Sequence, residues 1–276
     1  MDLEAGSRQP VIPRVDVLGI EVSAINPHMA LRAVTEWIES GDRQYVCVTG
    51  VHGVMESQSD PELKRIHNAS GLTTPDGMPL VWCGRFAGAG WMERVYGPDL
   101  MLQLCAKSVD MGWKHFFYGA GPGVADELAH RLSEKFPGLR VVGTYSPPFR
   151  PLTAMEANTM VELLDESAAD IIWVGLSTPK QERWMDQLRP ILQAKVLIGV
   201  GAAFDIHAGR IAQAPLWMQR RGIEWVFRLA VEPRRLWRRY LTSIPRFLWL
   251  ISTRRPRLVH EAREPLRESS SPEELQ

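Results

Sequence analysis

Short apolar runs recur along this chain, and each is followed by a polar or glycine-containing loop and then by a helical pattern. The clearest runs lie at residues 44–49, 114–118, 170–173 and 195–200. Their apolar residues follow one another without the polar alternation of a half-exposed strand, which predicts strands buried on both faces. Such strands, alternating with helices, form a parallel sheet. The sequence therefore predicts an α/β fold whose mostly parallel sheet carries helices on both faces.

Composition divides the chain into four parts. Residues 1–14 are polar and predict a disordered lead, whereas residues 15–214 carry the strand–helix alternation and predict the α/β core. Residues 215–257 are rich in Arg, Trp and Phe and contain no Lys, which predicts a basic helical appendage. Residues 258–276 are polar and acid-rich and predict a disordered tail. A chain of 276 residues can bury a substantial core.

The three cysteines, Cys47, Cys83 and Cys105, lie far apart in apolar contexts and match no disulfide or metal-ligand spacing. Reduced, buried thiols in a cytosolic protein are therefore expected. The polar N-terminus has no signal-peptide pattern, and no apolar run has the length of a membrane span. No Asp-x-Asp occurs, so the sequence does not indicate a divalent ion at a nucleotide diphosphate. Neither a metal site nor a cofactor is expected.

The loops after the predicted strands carry the candidate chemistry, because ligands of Rossmann-like sheets bind at the carboxyl ends of the strands. Gly175 ends one strand, and Ser-Thr-Pro leads from it to Lys180 and Gln181 near a helix start. That loop is either a ligand-binding edge or a capped helix start. Asp76 lies on a Pro-Asp-Gly turn, where it is either a general base facing the crevice or a turn residue bonded to its own backbone.

Two glycine-rich loops complete this edge. Gly119 and Gly121 lie between a strand and a helix, so their backbone N–H groups are suited to a diphosphate, although ordinary turn glycines show the same pattern. The third glycine comes too early for the G-x-G-x-x-G fingerprint, which disfavours a nicotinamide-dependent oxidoreductase. Gly201 follows the last buried strand, and Asp205 either binds a ribose or sugar hydroxyl or braces its own loop.

The C-terminal segment places arginines beside aromatic residues at helical spacing. Basic amphipathic segments with Trp and Phe lie in the headgroup region of anionic membranes, and arginine clusters bind phosphates. Nucleic-acid binding is a rival interpretation, but the sequence has no fold motif for it. The candidate acceptor and membrane contacts are Arg228, Arg234, Arg235, Arg238 and Arg239.

In this order the segments resemble the WecG/TagA/CpsF family of glycosyltransferases. Residues 74–82 are similar to the family's Asp-Gly-x-x-x-Val segment, residues 116–123 to its glycine loop, and residues 174–182 to its Gly-x-Pro-Lys-Gln-Glu signature. Residues 199–209 resemble the start of its C-terminal block. That block continues through Ala214-Pro215, Gly222-Ile223-Glu224-Trp225, Arg228-Leu229, Glu232-Pro233-Arg234-Arg235 and Arg238-Arg239-Tyr240.

The resemblance implies an inverting, metal-independent transfer of a sugar from a UDP-sugar to a polyprenyl-diphosphate-linked saccharide, for a surface polysaccharide or cell-wall polymer. It implies that Asp76 is the general base, that Thr49 and Gln181 are active-site residues, and that C-terminal arginines engage diphosphate and membrane. The protein would act in the cytoplasm, peripherally on the inner face of the plasma membrane. The resemblance allows N-acetylmannosamine, its uronic acid or glucose as the sugar, and a homo-oligomer is left open.

One departure from the family lies directly after Thr49. The family often has Pro-Asn there, whereas this chain has Gly50-Val51-His52, so any acceptor contact made by the Asn is changed. An alternative from a different class is a non-catalytic peripheral membrane protein that binds anionic lipid through its C-terminal segment. Release of UDP from a sugar donor distinguishes the two.

Overall fold

The computed structural model describes residues 12–259, except for the side chains of Arg235 and Arg239. Its strands are β1 (Arg14–Val17), β2 (Ile20–Ser23), β3 (Gln44–Thr49), β4 (Leu72–Pro75), β5 (Lys114–Gly119), β6 (Arg140–Tyr145), β7 (Ile171–Gly175), β8 (Val196–Gly199) and β9 (Arg257–Val259). Its helices are α1 (Pro27–Ser40), α2 (Val51–Glu56), α3 (Pro61–Ala69), α4 (Met78–Phe86), α5 (Gly97–Met111), α6 (Val124–Lys135), α7 (Ala154–Glu166), α8 (Lys180–Leu188), α9 (Ala203–His207), α10 (Leu216–Arg220), α11 (Glu224–Val231) and α12 (Pro233–Thr253).

Strands β3 to β8 form the central sheet, in the order β4-β3-β8-β7-β5-β6. Every neighbouring pair in it is parallel. Ile171 and Trp173 of β7 pack into one hydrophobic cluster with α1, α5, α6 and α9. Ile172 and Val174 point the other way, into a cluster with α3, α7 and α8. Both faces are therefore covered, and the predicted α/β, Rossmann-like fold is confirmed.

A second, antiparallel sheet has the order β2-β1-β9. The alternating pattern at residues 15–22 reads as a single strand, but the structure has a hairpin there. Leu18 and Gly19 form its turn with φ of 57° and 85°, and β1 pairs with β2 across it. Strand β9 adds to the other edge of β1, so residues 258 and 259 are a strand although the sequence predicts a tail from 258. Most of the expected lead and tail, residues 1–11 and 260–276, lie outside the described residues.

Helices α10 to α12 contain the Arg- and Trp-rich segment. Helix α12 contains Pro245 and packs against α2 and α11. Its residues Leu236 and Phe247 are buried, whereas Trp237 and Trp249 are exposed. Between residues 12 and 259 no helix combines the length and apolar character that crossing a membrane requires.

Candidate active site

A cleft of about 1630 Å3 opens along the carboxyl edge of the central sheet. Residues that end or follow five of its strands line the cleft: Thr49, Asp76, Gly121, Gly175 and Gly201. Residues of α4, α8, α11 and α12 and of the loop 147–152 are among the others that line it. The structure therefore brings together the loops that the sequence assigns to one crevice. The loops after β3 and β7 are short, because α2 begins at Val51 and α8 at Lys180.

Asp76 is held by neighbours far from it in sequence. Its backbone N–H donates to the carbonyl of Thr49 at 3.0 Å, which ties the ends of β3 and β4 together. Its Oδ1 accepts a hydrogen bond at 3.2 Å from the N–H of Gly97, the first residue of α5. Its Oδ2 lies near Gly50, where an added Cβ would be 3.9 Å away. The carboxylate is thus fixed by a distant helix start and does more than close a turn.

Arg94 connects the Asp76 loop to the C-terminal segment. Its Nε donates to the carbonyl oxygen of Asp76 at 2.5 Å. Its Nη2 donates to Glu224 of α11 at 2.5 Å, and its Nη1 donates to Gln219 of α10 at 3.0 Å. Both charged side chains of the Arg94–Glu224 pair are 15% exposed. One guanidinium group therefore joins the carboxyl edge of the central sheet to two helices of the appendage.

Glu224 is shared by three partners. Besides Arg94, its Oε1 lies 3.1 Å from Nε of Arg228 and accepts from the hydroxyl of Tyr96 at 3.3 Å. The Arg94 guanidinium also lies 3.9 Å from the centre of the Tyr96 ring, a distance typical of a cation–π contact. Arg228 lines the cleft, so this network presents a cation to the space in front of Asp76.

Burial raises the pKa of the Asp76 carboxyl, and the charge of Glu224 raises it too. Arg94, Arg228 and the Gly97 N–H act in the opposite direction and lower that pKa, but they do not cancel the effect of burial. A carboxylate with a raised pKa binds a proton more strongly than an exposed one. A buried carboxylate of this kind is chemically suited to accept a proton from a hydroxyl group in the cleft.

Gln181 and Glu182 form a second polar group at the start of α8. Gln181 lines the cleft although only 3% of it is exposed. Its Nε2 donates to Oε1 of Glu182 at 3.1 Å, and Thr178 donates to the same oxygen at 2.8 Å. A carboxylate only accepts hydrogen bonds, so it fixes which end of the amide faces it. Oε1 of Gln181 is buried and has no hydrogen-bond partner among residues 12–259.

The structure explains why two of the candidate positions are occupied by glycine. Gly119 has φ of 125°, and a Cβ there would lie 2.7 Å from the carbonyl carbon of Gly175. The close approach lets the Ala120 N–H donate to Gly175 at 2.8 Å. Gly201 has φ of 50° and lies against the carbonyl of Leu176. Gly121 and Gly175 line the cleft; Gly119 instead supports their positions from behind.

Three aromatic side chains lie at the end of the cleft that contains the glycine loop. Tyr118, at the end of β5, stacks on Trp184 of α8 with ring centroids 4.3 Å apart, and both residues line the cleft. Phe149 is 88% exposed and lines the cleft too. A Cβ on Gly121 would lie 3.8 Å from its ring. This exposed ring beside backbone N–H groups is suited to a flat base next to a diphosphate.

Lys180 and Asp205 lie on the cleft wall at the starts of two helices. Lys180 is exposed and is the first residue of α8. Asp205 lines the cleft within α9. Its carbonyl oxygen also accepts from the N–H groups of Arg210 at 2.8 Å and Ile211 at 3.2 Å. The backbone of Asp205 braces the following turn, and the residue lines the cleft.

The candidate arginines divide into two groups. Arg228 lines the cleft, whereas Arg234 and Arg238 are exposed on α12 and do not line it. The guanidinium of Arg238 lies 5.2 Å from the centre of a Trp237 ring. The side chains of Arg235 and Arg239 lie outside those the structure describes. Arg255, which the sequence did not single out as a site residue, also lines the cleft.

His52, the residue at the family departure, lines the cleft on α2 and has its Nδ1 3.7 Å from Glu56. His207 binds the carbonyl of Pro98 through Nε2 at 2.9 Å. Among residues 12–259, no group of three or more His, Cys, Asp or Glu side chains is arranged to hold a metal ion. The polar side chains that line the cleft include carboxylates, amides, hydroxyls, cations and the imidazole of His52.

Comparison with known proteins agrees with the sequence motifs. The chain matches the model of the glycosyl transferase WecG/TagA/CpsF family over residues 15–261. Two similar proteins are named N-acetylglucosaminyldiphosphoundecaprenol N-acetyl-beta-D-mannosaminyltransferase. The one from Bacillus spizizenii is 26% identical over 237 residues, covering 86% of this chain and 88% of that protein. The one from Bacillus subtilis is 26% identical over 230 residues, covering 83% and 78%.

Proposed function

Because the chain belongs to the WecG/TagA/CpsF glycosyltransferase family, we propose that it transfers N-acetylmannosamine from a UDP-sugar to N-acetylglucosamine on a polyprenyl diphosphate. The names of the two Bacillus proteins specify that sugar and a diphosphoundecaprenol acceptor. The observation that carries the proposal is Asp76, a carboxylate with a raised pKa at the sheet edge. Its cleft of about 1630 Å3 exceeds the roughly 300–1,000 Å3 of a pocket for one small ligand.

In the proposed reaction the Asp76 carboxylate takes the proton of the acceptor hydroxyl while that oxygen attacks the anomeric carbon of the donor. The new carbon–oxygen bond forms as the bond to the UDP oxygen breaks, and UDP leaves with the electron pair. Attack from the face opposite the leaving group inverts the anomeric centre. The raised pKa of Asp76 favours this proton transfer, because a stronger base accepts the proton more readily.

Cations and N–H groups stabilise the leaving diphosphate in this proposal, so that no metal ion is required. Arg228 lines the cleft close to the Asp76 network, and Lys180 lies at the first turn of α8. Gly121 lines the cleft just before the start of α6. In this proposal its backbone N–H group binds the diphosphate, as N–H groups at helix starts commonly do. Gln181 and Thr49 are assigned to sugar hydroxyls, and Asp205 to the ribose.

We propose that the reaction takes place on the cytosolic membrane face, where the protein binds peripherally through its C-terminal segment. Trp217, Trp237 and Trp249 are exposed there, and Arg234 and Arg238 lie exposed on the same segment. Exposed Trp with Arg is typical of helices that lie in anionic headgroups. A purely lipid-binding role would explain this segment but not the fixed carboxylate in the cleft.

The test is transfer from UDP-N-acetylmannosamine to a polyprenyl-diphosphate N-acetylglucosamine, followed as UDP release and as a longer lipid-linked product. Asp76→Asn should lower kcat by about 10²–10⁴, the usual contribution of a general base. Asp110→Asn, on an exposed residue of α5, is the matched control and should keep full activity. EDTA should leave the rate unchanged. Full activity of Asp76→Asn would refute the assignment of the base.

A further inference from the structure

Two helices line part of the cleft with regularly spaced apolar residues. Helix α4 contributes Met78, Trp82 and Phe86 to the lining of the cleft. Helix α12 contributes apolar residues that recur every three or four positions along most of its length. Residues at these intervals lie on one face of a helix. We name this wall the α4–α12 groove; its residues are Met78, Pro79, Trp82, Phe86, Leu236, Tyr240, Ile244, Phe247, Leu248 and Ile251.

Several apolar side chains of the α4–α12 groove face open space. Phe86 is 68% exposed and Leu248 62% exposed, and Trp82 is 49% exposed. Contiguous exposed apolar surface on a folded protein marks an interaction site or a ligand groove. Trp82 has a structural role as well, since a Cβ on Gly222 would lie 2.7 Å from its ring. Phe86 and Leu248 are the two whose exposure has no such explanation.

The groove opens onto the reacting carboxylate. Met78 begins α4 only two residues after Asp76, and the groove belongs to the same continuous cleft as the glycine loops. The loops at Gly121, Gly175 and Gly201 offer backbone and polar groups for the nucleotide. The apolar wall is therefore the part of the cleft that the donor does not explain.

The charge pattern identifies the occupant. In the proposed acceptor, the sugar that reaches Asp76 is bonded to a diphosphate, and the diphosphate is bonded to a hydrocarbon chain. Arg255, which is not assigned to the donor, lines the same cleft as the groove, so the anionic and the apolar part of the acceptor both have partners. From Leu236 to Ile251, the α12 face is about 22 Å long at 1.5 Å per residue. That length suits an extended hydrocarbon chain and far exceeds what a sugar needs.

We propose that the α4–α12 groove holds the sugar-proximal part of the acceptor's polyprenyl chain, and this rests on the proposed function. The groove thereby selects acceptors by their lipid. An acceptor with a short alkyl chain leaves Phe86 and Leu248 without contacts, whereas its sugar and diphosphate still reach the same polar groups.

The experiment compares two acceptors that differ only in the lipid, in detergent micelles: a polyprenyl-diphosphate sugar and the same sugar diphosphate on a short, water-soluble alkyl chain. The double variant Phe86→Ala/Leu248→Ala should lower kcat/KM for the polyprenyl acceptor about tenfold, equivalent to about 1.4 kcal/mol. Its kcat/KM for the short acceptor and its KM for the donor should stay within about twofold, well below that tenfold step. The control is Met155→Ala, which changes an exposed apolar residue of α7 outside the cleft. It should leave kcat/KM for both acceptors unchanged.

Equal losses on both acceptors, or no loss on either, would overturn the groove assignment. If the double variant loses only vesicle flotation, the surface is a bilayer contact; if it changes only the mass in solution, the surface joins two copies. Either result also overturns the assignment. Should the wild type transfer to neither acceptor, the proposed function fails. The groove assignment is then tested separately with a photoreactive polyprenyl diphosphate, which should label α4 and α12. Labelling of other segments instead would contradict the proposal.

Discussion

Replacing Arg94 by Met tests whether the appendage is energetically part of the active site. The change removes the Arg94–Glu224 ion pair and the hydrogen bonds to Gln219 and to the Asp76 carbonyl. Removing one partner of a buried ion pair costs about 3–5 kcal/mol. Each side chain of this pair is 15% exposed, and Glu224 retains Arg228 at 3.1 Å. We therefore expect a loss at the lower end, about 3 kcal/mol.

The assay is thermal unfolding, with the Arg65→Met variant as control. Arg65 also pairs with a carboxylate, Asp186, through two hydrogen bonds at 3.2 and 2.6 Å. Its side chain is 56% exposed, so that pair should contribute at most about 1 kcal/mol. At about 2–4 °C per kcal/mol, Arg94→Met should lower Tm by about 6–12 °C and Arg65→Met by at most about 4 °C.

Arg94→Met should also increase the protease sensitivity of α10 and α11, because they lose their link to the core. The activity of Arg65→Met should equal that of the wild type. If Arg94→Met unfolds at the same temperature as Arg65→Met, the network does not hold the appendage to the core. That outcome would refute the coupling inferred from the geometry.

Three further changes probe the cleft. Activity needs ionised Asp76, so kcat/KM should fall as the pH drops through the raised pKa of that carboxyl. Glu224→Gln removes a negative charge that raises this pKa, so the fall in kcat/KM should move to lower pH. A move to higher pH would contradict the assignment of Asp76. Glu182→Gln should lower kcat about tenfold without lowering Tm, since a Gln at 182 can also present its NH2 and no longer fixes which end of the Gln181 amide faces it. Unchanged kcat would argue against that role. Phe149→Ala should raise the donor KM about 2- to 10-fold from lost stacking, and an effect only on the acceptor KM would exclude base binding.

The fold could be predicted from sequence because its buried strands are uninterrupted apolar runs. Ile171 to Val174 faces both hydrophobic clusters, so no polar residue breaks the pattern. The hairpin at Leu18 and Gly19 could not be predicted in this way, since apolar residues alternate on both sides of its turn. The pairing of β9 with β1 joins residues more than 200 positions apart, as Arg14 with Val259. No local pattern carries that contact.

The candidate site was predictable where a residue follows a strand. Thr49, Asp76 and Gly175 all lie at the carboxyl edge because parallel strands end there together. Arg94 and Tyr96 were missed, since they lie on a connection between helices with no motif of its own. Glu224 lies within a segment that resembles the family, but its role depends on folding back onto Arg94, 130 positions away. Such contacts follow from tertiary packing alone.

The configuration of the product tests the central claim most directly. The wild-type protein is supplied with α-configured UDP-N-acetylmannosamine and the lipid-linked acceptor, and the anomeric configuration of the new linkage is measured by NMR. A single displacement assisted by Asp76 should give a β-linked product, with no sugar attached covalently to the protein. An α-linked product, or a covalent sugar–protein adduct detected by mass spectrometry, would contradict the mechanism.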